Sequence, residues 1–251
     1  MVSDQAAEAA RLLCLARGGP PVGELPPSCR PQSDADAYQI QDAVTRQLGA
    51  AIGGWKVGAA SPTTAAFCAP IHADMVRPSP AFYSAAELRL IGIEAEIAFR
   101  LGRDLPPRAS PYDRAEVTAG ASLHPVIEVV DSRYADFRSL DRPSILADNF
   151  SNGGLVYARA VDNWASFDLS RTAIIVTEDG KPFAESSAAA RDPIGALVEF
   201  ANLMNRRGGA KAGTIVTTGS WTGMVFTKRG AHIVADFGPL GRVEAAFPAA
   251  D

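Results

Sequence analysis

Ile91-Gly-Ile-Glu-Ala-Glu-Ile-Ala-Phe99 is the stretch on which the reading of the fold turns. Period-two alternation puts Ile93, Ala95, Ile97 and Phe99 on one face, the pattern of a strand packed on a core. Glu94 and Glu96 then project together from the opposite face, their Cβ atoms about 7 Å apart along the strand. Two carboxylates aimed the same way repel each other unless water or a cation lies between them. A half-buried strand with a solvated polar face accounts for the pair equally simply, so this stretch leaves both readings open.

Downstream, His124-Pro-Val-Ile-Glu-Val-Val-Asp131 is apolar on both sides of Glu128, as in a strand buried on both faces. A carboxylate there carries a heavy desolvation cost unless it is paired with a cation or bonded to a metal. Together with Glu94 and Glu96 it offers three oxygen ligands. Such a set suits a hard divalent cation, Mg²⁺ or Mn²⁺, better than zinc. A salt bridge from Glu128 to a nearby Lys or Arg meets the same need, and spacing alone does not choose.

Around these two segments, Val- and Ile-rich runs recur near 55–58, 154–161, 172–177, 214–218, 231–237 and 242–247, separated by turn signals such as Asp179-Gly180 and Gly238-Pro-Leu-Gly241. The expected class is α+β with β dominant. One helix interrupts the strands, starting at Asp192-Pro193 with Ile194, Leu197, Val198, Ala201 and Met204 at helical spacing; a shorter one starts at Ser110-Pro111, with Asp113 completing its cap. Before Trp55 the character differs. Ser3 caps a helix to about Arg17, residues 18–32 are an irregular connection, and Ser33 with Asp36 opens a second helix to about Ala51, stopped by Gly53-Gly54. The chain thus divides into a small helical lobe over 1–53 and a β-rich domain over 54–251.

With 251 residues, 47% of them hydrophobic, the chain has enough apolar side chain for a core, which excludes a largely disordered protein. Asp and Glu number 28 against 24 Lys and Arg, with no long basic run, so nucleic acid and anionic membrane surfaces are poor partners. No apolar run approaches the roughly 18 residues of a membrane span. The first residues carry Asp4 and Glu8 rather than the basic start of a secretory signal, and Cys14, Cys29 and Cys68 form neither a disulfide framework nor a zinc pattern. A cytoplasmic protein with reduced thiols is expected.

Lys56 lies in Gly53-Gly-Trp-Lys-Val-Gly58. Beside a metal site, a lysine steadies an enolate or moves a proton; at a strand end it is a surface charge. Thr217-Thr-Gly-Ser-Trp-Thr-Gly223 is dense in hydroxyls and backbone amides, suited to holding a carboxylate or simply to turning the chain. His72, His124 and His232 lack ligand spacing, and the glycines of 208–213 match no nucleotide-binding motif.

In the same order, Gly54-Trp-Lys-Val-Gly58, Ile93-Glu-Ala-Glu-Ile-Ala98, Ile127-Glu-Val-Val-Asp-Ser-Arg133, Ala147-Asp-Asn149, Thr218-Gly-Ser220 and Ala235-Asp-Phe-Gly-Pro-Leu-Gly241 resemble the fumarylacetoacetate hydrolase superfamily. Within it they are most similar to the 2-hydroxypentadienoate (2-keto-4-pentenoate) hydratase and 4-oxalocrotonate decarboxylase branch, over about residues 34–247. The resemblance implies a mixed β-roll core with a helical N-terminal lobe, and a homo-oligomer. It also implies Mg²⁺ or Mn²⁺ on Glu94, Glu96 and Glu128, with Lys56 in the active site. Asp74, in Ala73-Asp-Met75, would share in proton transfer and lean the reading toward the hydratases, while Ser151, Thr218 and Ser220 would meet the substrate.

The implied reaction is addition of water to a small 2-hydroxy-dienoate or 2-oxo-enoate from aromatic ring cleavage, and the resemblance also implies a pathway decarboxylase or aldolase as partner. Its alternatives are decarboxylation of a 4-oxalocrotonate-type acid, C–C hydrolysis of an acylpyruvate, and a non-catalytic supporting homologue. Arg133, Arg138 and Arg142 are candidates for a second substrate carboxylate or for surface charge. Departures from the family pattern fall at 59–72, at 185–193, and at Phe150 and Asn152 on either side of Ser151.

Overall fold

Both N-terminal helices begin at a serine whose hydroxyl accepts a hydrogen bond from the backbone N–H three residues on, Ala6 for Ser3 and Asp36 for Ser33, each at 3.2 Å. In the computed structural model, which describes residues 3–58, 65–84, 86–186 and 191–249, these helices are α1 (Asp4–Leu15) and α2 (Asp34–Gln47). Helix α2 stops sooner than the sequence suggests, because Gly49 takes a left-handed turn (φ 60°). Gly53 and Gly54 do different work. A Cβ on Gly53 would meet the Ala73 backbone at 2.7 Å, and one on Gly54 would meet Ile215 at the same distance. They lie inside a strand that neighbours approach closely, and they do not end a helix.

The strands follow in chain order: β1 (Ile52–Gly58), β2 (Phe67–His72), β3 (Val76–Pro78), β4 (Ala81–Phe82), β5 (Gly92–Arg100), β6 (Ser122–Val130) and β7 (Asn152–Tyr157). Then come β8 (Ile175–Glu178), β9 (Lys181–Glu185), β10 (Ile215–Thr217), β11 (Val225–Phe226), β12 (His232–Asp236) and β13 (Arg242–Ala246). Between β5 and β6 lies α3 (Arg114–Thr118), between β6 and β7 α4 (Arg142–Ala147), and between β9 and β10 α5 (Pro193–Asn205). All eight Val- and Ile-rich runs form strands. The five strands that the sequence reading lacks are short or, like β2, buried throughout, so they show no alternation to read. Helix α3 starts at Asp113, whose carboxylate and that of Glu116 cap it reciprocally; Ser110-Pro111 stays outside.

The strands make two mixed sheets. The larger runs β2-β1-β10-β5-β6-β7-β3 with β11 also on β5, and the smaller runs β4-β13-β12-β8-β9. Ile93, Ala95, Ile97 and Phe99 lie in the main core, as the alternation of β5 requires. That core takes in Val176, Ile233 and Val243 of the small sheet and Leu197 and Phe200 of α5, so one face of the large sheet is covered. The opposite face carries the polar residues described next. Helices α1 and α2 pack through Ala9, Leu13, Ile40 and Val44 against Tyr134 and Leu146 in a second cluster. Of the two long departures from the family pattern, residues 59–64 and 187–190 lie outside the described residues. Among the described residues no helix is long and apolar enough to cross a membrane.

Candidate active site

Five neighbouring strands, β1, β10, β5, β6 and β7, each place a polar side chain on one face of the large sheet. Register accounts for this. Lys56 of β1 pairs with Thr217 of β10, and Thr217 pairs with Ala98 of β5, two residues along the same face from Glu96. Glu94 stands directly opposite Glu128 of β6. A like-charged pair at such a position is destabilising by itself. One carboxylate oxygen from each of Glu94, Glu96 and Glu128 lies within 4.8 Å of the others.

Burial resolves the open readings. Glu96 and Glu128 are buried and Glu94 half-buried, so this is not a solvated strand face. Lys56 is buried as well, and not a surface charge at a strand end. Its ammonium donates to Glu128 Oε1 and, at 3.2 Å, to the Phe150 carbonyl. Glu128 Oε1 also accepts from Asn152 Nδ2 at 3.1 Å, while its second oxygen is buried with no hydrogen-bond partner. Glu96 Oε2 accepts from the Thr217 hydroxyl and, at 2.9 Å, from the Gly219 N–H.

Three carboxylates therefore share one ammonium. Burial pushes Lys56 toward the neutral amine, but Glu128, Glu94 and Glu96 together outweigh it and hold its pKa above the ordinary lysine value. Burial pushes Glu96 well above the usual carboxylate range, with Glu128 and Glu94 adding to it. Glu128 is raised for the same reasons, with Lys56 opposing. The excess of negative charge acts on both: it makes the amine resist losing its proton, and it adds to burial in making the acids resist full ionisation. The lone buried Glu128 oxygen and an all-carboxylate donor set fit a hard divalent cation, which would remove that excess.

Ser151 immediately precedes β7, as the last residue of a turn in which Asn149, Phe150 and Ser151 all have positive φ (50°, 50° and 56°). Three consecutive left-handed non-glycine residues persist only where the surroundings hold them. Arg133 does so. Its Nε bonds Asp148 Oδ1, its Nη2 donates to the Asp148 carbonyl and its Nη1 to the Asn152 carbonyl, each of the last two at 2.9 Å. The Ser132 hydroxyl and the Arg133 N–H donate to Asp148 Oδ2. Held this way, the turn aims the Phe150 carbonyl at Lys56 and Asn152 at Glu128.

The Ser151 and Ser220 hydroxyls are buried without partners, whereas the Thr218 hydroxyl donates to the Ile97 carbonyl at 2.7 Å. Asp74 is not brought to the cluster. It is exposed on the turn after β2, whose last residue, His72, pairs with Ile52, and Ile52 lies four residues, roughly 13 Å along β1, before Lys56. Of the candidate arginines, Arg133 is spent on the turn, Arg142 pairs with Asp34 at 2.9 Å, and Arg138 lies over the Phe226 ring. Sequence reasoning missed Thr217, Asn152 and Asp148 as supports. Each lies within or beside a motif it had singled out, but a supporting role appears only once partners are known.

No protein-family model matches the chain. The chain is 31% identical to 2-keto-4-pentenoate hydratase 1 of Dechloromonas aromatica (strain RCB), over 70% of its own length and 68% of the relative's. It is 29% identical to 2-keto-4-pentenoate hydratase of Paraburkholderia xenovorans (strain LB400), over 98% and 96%. The solved 4-oxalocrotonate decarboxylase from Pseudomonas putida G7, complexed with magnesium and adipate, superposes with a TM-score of 0.84 at 24% identity, over 97% of each chain. That likeness establishes the β-dominant α+β fold as the fold of that decarboxylase.

Proposed function

This chain belongs to the 2-keto-4-pentenoate hydratase and 4-oxalocrotonate decarboxylase branch of the fumarylacetoacetate hydrolase superfamily, and from that membership we propose that it is a metal-dependent hydro-lyase of the cytoplasm. Its substrate class is the small 2-hydroxy-dienoates and 2-oxo-enoates of aromatic catabolism. The observation that carries this is the convergence of three carboxylate oxygens within 4.8 Å, one of the three residues keeping a buried oxygen free beside an ammonium. Glu94, Glu96 and Glu128 would hold Mg²⁺ or Mn²⁺, which when bound supplies Lewis acidity toward the substrate's 1-carboxylate and 2-oxygen.

Lys56 Nζ, kept charged by its surroundings, is the group positioned to relay a proton from the 2-hydroxyl toward C5 as the dienol becomes the conjugated 2-oxo-enoate. Water then adds across the C3–C4 double bond, with oxygen at C4 and hydrogen at C3. The unpartnered hydroxyls of Ser151 and Ser220 are free to meet substrate oxygens, and Thr218, whose proton is spent on the Ile97 carbonyl, keeps an acceptor lone pair for a substrate hydroxyl or water. Asp74 has its role only from the resemblance; the geometry supports Lys56 alone in the proton path. Asp74→Asn is accordingly expected to stay within a few-fold of wild-type turnover, and a loss as deep as that of Lys56→Met would return Asp74 to the path.

The test is an ultraviolet assay of freshly generated 2-hydroxypenta-2,4-dienoate with and without Mg²⁺, products identified by NMR. Metal-dependent formation of 4-hydroxy-2-oxopentanoate supports the hydratase. Loss of both metal affinity and turnover in Glu94→Gln excludes a non-catalytic homologue. Decarboxylation is the second reading, favoured by the likeness to the solved decarboxylase over 97% of the chain. Release of CO₂ from 4-oxalocrotonate without dienoate hydration would establish it instead, and C–C cleavage of acylpyruvates is the third activity to assay. Membership of the branch also leads us to propose a homo-oligomer, alone or with a pathway decarboxylase or aldolase, which light scattering on the purified chain measures.

A further inference from the structure

Where the end of α1 meets the α2–β1 connection and the end of β6, a cavity of about 530 Å³ is lined by residues that include Arg17, His72, Asp74, Asp131, Arg133 and Gly153. None of Lys56, Glu94, Glu96 and Glu128 lines it. Its two guanidiniums are in opposite states. Arg133 is saturated by Asp148 and the carbonyls of the 148–152 turn. Arg17 makes no ion pair among the described residues, and its Nε is buried with no hydrogen-bond partner. Burial and the neighbouring Arg133 push its pKa down to about 10, against the weaker pull of Asp148 and Asp131, which leaves it charged at neutral pH.

A half-buried guanidinium whose Nε is buried without a partner is costly when no anion meets it, and its planar fork is shaped for a carboxylate. The rest of the lining narrows the class of ligand. Asp74 and Asp131 face the same space, and burial holds His72 near a pKa of about 4, so it adds no positive charge at pH 7. Glu87, the third acid of the lining, is paired with Arg77, and with a single free cation the remaining acids oppose the second charge of a phosphate more than the one charge of a carboxylate.

We propose that this cavity is a second ligand site, in which Arg17 holds a small monocarboxylate through its free guanidinium donors. It stands one hydrogen-bonded layer behind the turn that presents Ser151 and Asn152, because Arg133 belongs to both. The inference does not depend on the reaction proposed above.

Calorimetric titration of the full chain with propionate in EDTA tests it, since chelation removes any carboxylate binding that a metal on the glutamates would support. Saturable binding with a Kd on the order of millimolar, the range open to so small a ligand, is expected. It should weaken at least about tenfold in Arg17→Gln and stay within about twofold of wild type in Glu96→Gln, as the loss of a bidentate charged contact requires. Arg17→Lys, which keeps the charge and loses the fork, should fall between, and it keeps the test open if Arg17→Gln fails to fold. No saturable binding, binding unchanged in either Arg17 variant, or tighter binding of inorganic phosphate than of propionate would overturn the proposal.

Discussion

Two buried charge clusters lie a few residues apart in sequence, and they are built to opposite ends. Around Asp148, one carboxylate meets one guanidinium; both carboxylate oxygens accept, and the Arg133 donors are spent on Asp148 and on two carbonyls. Around Lys56, three carboxylates meet one ammonium, a glutamate oxygen is left without a partner, and two glutamates face each other across β5 and β6. The first arrangement is electrostatically closed, so its use is to hold a strained turn. The second is open, and the imbalance is the reason to assign it chemistry: a fold seeking only stability would not oppose like charges and give three carboxylates a single ammonium.

The largest effect is expected from Lys56→Met. If the open cluster is the chemical one, turnover should fall by about 10²–10⁴-fold, the range for a removed proton-transfer group, while circular dichroism stays native. A loss of under about tenfold would move the proton path elsewhere.

Next comes Arg133→Met, which should act on the fold first. It strands the buried Asp148 carboxylate, and breaking such a pair costs about 3–5 kcal/mol, readable as a lower urea midpoint. Unchanged stability, with only the activity lost, would mean that the closed cluster is catalytic after all.

His72, buried near Arg17 and Arg133 with Thr45 Oγ1 at 3.2 Å from Nε2, gives the pH test. Burial first, and then the two arginines, lower its pKa from 6.5 to about 4. At neutral pH it is uncharged in both folded and unfolded chains. As the pH falls below 6.5 the unfolded chain takes up a proton that the folded one resists, so stability drops, by about 3 kcal/mol once pH 4 is passed. In His72→Gln the acid limb of a stability-against-pH curve should be shallower between 6.5 and 4; an identical limb would place the loss on other groups.

The smallest effect separates holding from binding within the open cluster. Thr217→Val removes the hydroxyl on Glu96 with little change of shape. Metal affinity should weaken about 10–100-fold, as for other supports of ligating carboxylates. An unchanged affinity would mean that the Gly219 N–H alone orients Glu96.

Much of the site was legible because strand periodicity is strict. Alternation in 91–99 put Glu94 and Glu96 on one face before any neighbour was known, and the two-sided apolar run around Glu128 marked it as buried. The eight Val- and Ile-rich strands followed from the same signal. Gly53-Gly54 was misread as a helix stop because a glycine required by a close approach looks, in sequence, like one required by a turn. Strand β2 was missed because burial on every side leaves no polar residue to set a period.

What the sequence determined by itself, then, was local: which side chains share a strand face, where helices are capped, and that a carboxylate at position 128 needs a partner. Each of these is fixed by backbone geometry over a few residues. Only the tertiary structure decided that Lys56 is the partner, 72 positions away, that Asp148 and Arg133 lock the turn beside it, and that Asp74 stays apart. Those outcomes depend on sheet order and register between distant strands, where a shift of one residue would turn every side chain to the other face.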